Sequence, residues 1–113
     1  GFHGDDRDVS QFWEALMAAH ADVIVNGHDH DYERFAPQDP DGTADPAKGI
    51  REFVVGTGGA ALRDFTSVQP NSEVRDASTH GVIQFGLYPT GYSWRFIGVP
   101  GTTFTDSGSG SCH

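Results

Sequence analysis

Cysteine is nearly absent: Cys112 is the single one in 113 residues. No internal disulfide can form, so a paired Cys112 would need a thiol from another segment and an oxidising compartment. On that reading the expected location is extracytoplasmic or secreted; the plainer reading is a frayed terminal thiol. Cations are scarce as well. Lys and Arg number 7 against 16 Asp and Glu, a formal net charge of −9. That argues against nucleic acid as a partner, because such binding relies on Lys and Arg neutralising phosphates, and it disfavours anionic membrane surfaces. No stretch is apolar and long enough to span a bilayer; no signal peptide is visible, and a fragment lacking its N-terminus would not show one. Apolar residues make up only 36%, low for a self-sufficient core in a chain this size.

Glycine and proline are plentiful instead, at 15 and 6, and point to turns rather than long helices. No internal repeat is visible. The chain reads as one domain or part of one. Low apolar content and abundant turns fit half of a larger α/β body with its inner face bare, a surface that favours self-association.

Residues 1–8 are polar and read as loop. Asp8 with Gln11 has capping-box spacing. Phe12, Trp13, Leu16, Met17 and His20 then recur at helical intervals, predicting an amphipathic helix over 9–20 with Trp13 in the core. Residues 22–26 are an apolar run that fits a buried strand, and helix then strand is half of a parallel crossover. The run 36–49 reads as a surface loop. Arg51 to Val55 reads as a strand ending in Gly56-Thr57-Gly58-Gly59, and 60–79 as irregular. Residues 81–88 and 91–99 read as an antiparallel hairpin joined by Pro89-Thr90. Thr102 to Thr105 suggests a short strand. The domain is expected over 1–106, with 107–113 a flexible Gly/Ser tail.

The chemistry concentrates at Val23-Ile24-Val25-Asn26-Gly27-His28-Asp29-His30-Asp31-Tyr32-Glu33-Arg34. An apolar run stops at Asn-Gly, and two histidines follow with one residue between them. In extended backbone such residues point to one side, with alpha carbons roughly 6.5–7 Å apart. Neutral imidazole suits zinc, iron, copper and nickel, so the pair can hold one ion or flank two. A strand's carboxyl end is also where ligands gather in open α/β sheets. The bland alternative is a pair of solvent-facing loop histidines.

Gly27-His28-Asp29-His30-Asp31-Tyr32-Glu33-Arg34 resembles the GHxHxYER signature that closes the active site of purple acid phosphatases, members of the calcineurin-like metallophosphoesterases. Phe53-Val54-Val55-Gly56-Thr57-Gly58-Gly59, His80-Gly81 and Tyr92-Ser93-Trp94 resemble segments that follow in that family. The likeness covers most of the chain but only the C-terminal half of such an enzyme. Of the family's metal-binding segments (GDxx, GDxxY, GNH with an acid, a lone upstream histidine, and GHxH), only the last is present. Gly4-Asp5-Asp6 has no apolar strand before it and is not read as a ligand.

The resemblance implies an α/β fold: the C-terminal part of a β-sandwich flanked by helices, with one N-terminal helix and mostly β structure downstream. It implies hydrolysis of a phosphate ester at a dinuclear centre of divalent or trivalent ions (Fe, Zn or Mn), without a phosphoenzyme. His28 would bind one ion and His30 the other, with backbone carbonyls or carboxylates gripping the far ring nitrogens. Two ions so placed stabilise both the attacking and the leaving oxygen. They also supply the positive charge that an acidic chain lacks. His3 would contact the phosphate or protonate the leaving group; the alternative is a plain loop histidine. The missing N-terminal half of the enzyme is the implied partner, and the chain alone is expected to be incomplete.

Tyr32, Glu33 and Arg34 read as structural, locking the loop through charge-assisted bonds. Asp29 and Asp31 alternate with the histidines and read as solvated carboxylates. His80 reads as a strand cap, His20 as a complement to the helix dipole, His113 as a free tail, and the glycine turn as packing beside the site loop. Trp94 fits core or rim. A cupin-like HxH would need a wider gap before Glu33, and a TIM-barrel HxH needs roughly 250 residues. A non-catalytic metal-binding or structural fragment is the remaining alternative.

Overall fold

A computed structural model describes residues 7–113, so His3 and Gly4-Asp5-Asp6 lie outside the described residues. A 3-10 turn, Arg7–Val9, leads into helix α1, Ser10–Ala18. Seven strands follow: β1 (Val23–Asn26), β2 (Tyr32–Phe35), β3 (Arg51–Val55), β4 (Ser72–Asp76), β5 (Gly81–Tyr88), β6 (Gly91–Gly98) and β7 (Ser107–Ser111). The result is a mixed α/β domain, mostly β, with one α-helix among the described residues.

The first sheet has the order β1-β3-β2-β4. β1 and β3 run parallel, with Val25 opposite Phe53 and Asn26 opposite Val54, while β2 lies antiparallel to both β3 and β4. The second sheet, β5-β6-β7, is antiparallel throughout. The two sheets meet through aromatic rings. Along β6, Tyr92, Trp94 and Phe96 alternate inward, as a period of two requires. They meet Tyr32 of β2 and Phe53 of β3 in one buried cluster. Phe53 stands edge-on to Trp94 and Phe85 at 5.3 and 5.2 Å, and Tyr32 lies 4.7 Å from Phe96. Such geometries favour aromatic pairs beyond the area they bury.

β3 and the β5–β6 hairpin follow the sequence expectation closely. The helix does not. Its N-cap is Val9, with no side-chain cap bond, so Asp8 and Gln11 do not form a capping box. No residue of α1 is buried, and Trp13 is half-buried rather than core. Its end is a Schellman motif: Ala21 N–H donates to Leu16, His20 N–H to Met17, and His20 adopts φ 57°. His20 therefore serves by its backbone conformation.

β2, β4 and β7 were not expected as strands, and residues 102–105 form none. Gly110 lies opposite Tyr92 and Gly108 opposite Trp94, and a Cβ at either glycine would strike the facing ring. The glycines that suggested flexibility instead let two large rings lie over the strand. The segment 107–111 is thus a strand rather than a flexible tail. His113 is not free either: its N–H donates to Asp22 Oδ1 at 2.9 Å.

Candidate metal centre

The histidine loop leaves the carboxyl end of β1 and turns into β2. Beside it, the turn after β3 starts at Gly56, whose N–H donates to Asp31 O. A Cβ at Gly56 would land on the carbonyl of Asp29. Glycine is required here because the two backbones touch.

His28 has φ 77°, a left-handed conformation uncommon for a residue with a Cβ. His28 is exposed and lines an open cleft of about 1280 Å³ between α1 and the outer face of the first sheet, with Trp13, Ile24 and Val54 among its walls. Asp29 lines the same cleft, and along its wall Asn26 Nδ2 donates to Glu52 Oε1 at 2.6 Å.

His30 turns toward the loop after β3. Its Nδ1 lies 2.9 Å from Ala61 O. A carbonyl only accepts, so Nδ1 carries a proton, and in the neutral ring Nε2 then keeps its lone pair. This is the arrangement metal-binding histidines commonly use. Arg63 N–H donates back to His30 O at 3.0 Å, so loop 60–63 grips His30 at ring and backbone. The structure thus brings both histidines onto one short loop. Among the described residues, no group of three or more His, Cys, Asp or Glu side chains comes together to hold an ion. The donor set fits a metal in kind, since one ring is oriented and one exposed, and falls short in number.

Asp31 corrects the sequence reading. It is fully buried, not solvated, and neither carboxylate oxygen has a hydrogen-bond partner among the described residues. Burial raises its pKa to about 6, with Asp29 and Glu33 adding to the rise.

Tyr32, Glu33 and Arg34 make contacts that hold the fold together. Tyr32 Oη and Arg34 Nε each donate to Asp106 Oδ2 at 2.7 Å, and Trp94 Nε1 donates to the same oxygen at 3.1 Å. Burial alone would raise the Asp106 carboxyl, but these three donors and the Arg34 charge hold it below its ordinary value. Burial and the bond to Asp106 push the Tyr32 hydroxyl up. Arg34 also pairs with Glu73, which Arg51 reaches at 2.7 Å. The Arg34 and Arg51 guanidinium carbons lie 5.1 and 5.3 Å from the Trp94 ring centre, a favourable cation–π distance. Glu33 accepts from the Ser72 hydroxyl.

Asp106 carried no sequence signal. It lies in a Thr/Ser/Gly stretch, 74 residues from Tyr32. Comparison with models of protein families, with curated proteins and with solved structures finds no match to this chain.

Proposed function

We propose that the chain is the C-terminal part of a metallophosphoesterase of the purple acid phosphatase type, within a β-sandwich flanked by helices. Its role is to supply His28 and His30 to a dinuclear centre that hydrolyses phosphate esters. One observation carries this reading. At a strand's carboxyl end, inside a GHxHxYER sequence, the His30 ring is held by a carbonyl at Nδ1, which leaves Nε2 to bind. When bound, iron, zinc or manganese ions would polarise the phosphoryl oxygens and activate water. The chain's own part is to orient the two rings. Strand β2, locked through Tyr32 and Arg34 to Asp106, anchors the loop from behind.

The remaining ligands, and the segment carrying them, belong to the N-terminal half of the same enzyme. His3 is retained as the candidate phosphate contact or general acid. An extracytoplasmic location goes with this reading. A second reading, a metal-binding or structural piece with no activity of its own, is favoured by the absence of a third ligand among the described residues.

The deciding experiment assays p-nitrophenyl phosphate hydrolysis with zinc, iron or manganese. The chain is compared alone and joined to the polypeptide encoded upstream of it. Activity is expected only in the joined form. It should fall more than about 100-fold in His28→Ala or His30→Ala, since even outer-shell changes cost 10–100-fold. A joined protein that turns over normally without either histidine would refute the assignment.

A further inference from the structure

His80 was expected only to cap a strand, and it does more. Its Nε2 lies 2.9 Å from Ala60 O, so its ring N–H donates there. The next carbonyl, Ala61 O, is the one that holds His30 Nδ1, also at 2.9 Å. Two histidines, one on the loop before β2 and one just before β5, therefore grip consecutive carbonyls of one loop.

The two ends of this chain of bonds differ in stiffness. His80 leads directly into β5, and its backbone is fixed on both sides: Val99 N–H donates to His80 O at 2.9 Å, and Gly81 N–H to Thr57 O at 3.1 Å. Thr57, fully buried, returns its hydroxyl to Gly81 O at 2.8 Å. The turn itself has little stiffness of its own. Gly58 and Gly59 precede it, and Gly59 sits at φ 148°, a conformation other residues rarely adopt. Peptide groups are planar, so fixing the Ala60 carbonyl leaves only the two Ala61 dihedrals between it and the Ala61 carbonyl.

We propose that His80 is a positioning residue for His30. By holding Ala60 O it aims Ala61 O at His30 Nδ1, which fixes the ring's tautomer and presents Nε2 outward. The inference rests on the reading of His30 as a metal ligand. The coupling between the two rings is measurable without any metal.

The test uses the whole chain, with histidine ring nitrogens observed by long-range ¹⁵N NMR at pH 8. In the parent, His30 is expected with Nδ1 protonated and Nε2 bare. In His80→Ala the His30 signals should shift toward a mixture of tautomers. His80→Gln, whose amide reaches as far, should restore the parent pattern, whereas His80→Asn, whose amide stops short, should not. If the alanine variant fails to fold, the Gln/Asn contrast decides alone. Titration with zinc chloride, read at His30 Nε2, should show affinity roughly 3–10-fold weaker in His80→Asn than in His80→Gln, below the usual effect of a direct partner. Unchanged His30 nitrogens in His80→Asn and His80→Ala would overturn the proposal. Coupled tautomers with no zinc response at His30 would uphold the positioning and count instead against the metal centre.

Discussion

The two faces of the first sheet are made differently. Its inner face meets the second sheet in a seam of interlocked rings, tied by Asp106 to three donors. Its outer face looks across an open cleft at a helix with no buried residue, where Phe12 is 69% exposed. Fold stability therefore resides in the seam. The histidine loop sits at the junction, with His28 at the cleft and His30 tied back through loop 60–63. One candidate histidine is held on the packed side of the molecule, and the other lines the open cleft.

The contrast breaks most readily at Asp106. Asp106→Ala leaves Arg34, Tyr32 and the Trp94 indole without their shared acceptor. It should cost about 3 kcal/mol in urea unfolding, in line with the loss of one partner from a buried ion pair. The parent's acid limb should change with it. The Asp106 pKa is depressed on folding, so its stabilisation is complete above the ordinary carboxylate value and is lost as pH falls through the depressed one. The variant should lack that loss.

A smaller effect of opposite sign is expected at Asp31. A carboxyl whose pKa rises on folding stabilises below its unfolded value of 3.8, and that contribution disappears as pH rises through about 6. At neutral pH the buried charge is a cost. Asp31→Asn should gain about 1–2 kcal/mol at pH 8 and nothing at pH 4. Equal gains at both pH values would contradict the assignment. The smallest effect belongs to the open side: Phe12→Ser should change stability by no more than about 0.5 kcal/mol, as surface substitutions usually do. A loss of core size there would show that the helix packs more tightly than described.

Elements whose signal is local were readable in advance. β3, β1 and the β5–β6 hairpin announce themselves through apolar runs bounded by glycine or proline, although β1, expected as a buried strand, has no buried residue and leaves Val25 exposed. β2 was hidden because Glu33 and Arg34 look like loop residues until their partners, Ser72, Glu73 and Asp106, arrive from 39 and 72 residues away. β7 was hidden because Gly108 and Gly110 make sense only beneath Trp94 and Tyr92. At the candidate site, the placing of His28 and His30 on one loop was legible from their spacing, and of the two partners expected for the far ring nitrogens, carbonyl or carboxylate, His30 has a carbonyl. The particular carbonyl was not legible, since Ala61 contributes no side-chain chemistry, and the burial of Asp31 ran against its alternation with the histidines.

Gly56 sets a dimension of the candidate site. Where another residue would carry its first side-chain carbon, the oxygen of Asp29 already lies. The gap between the histidine loop and the neighbouring strand end is thus gauged by a hydrogen atom. Even a methyl group there would act as a wedge, prising His30 from the turn that steadies it while leaving every histidine in the sequence intact.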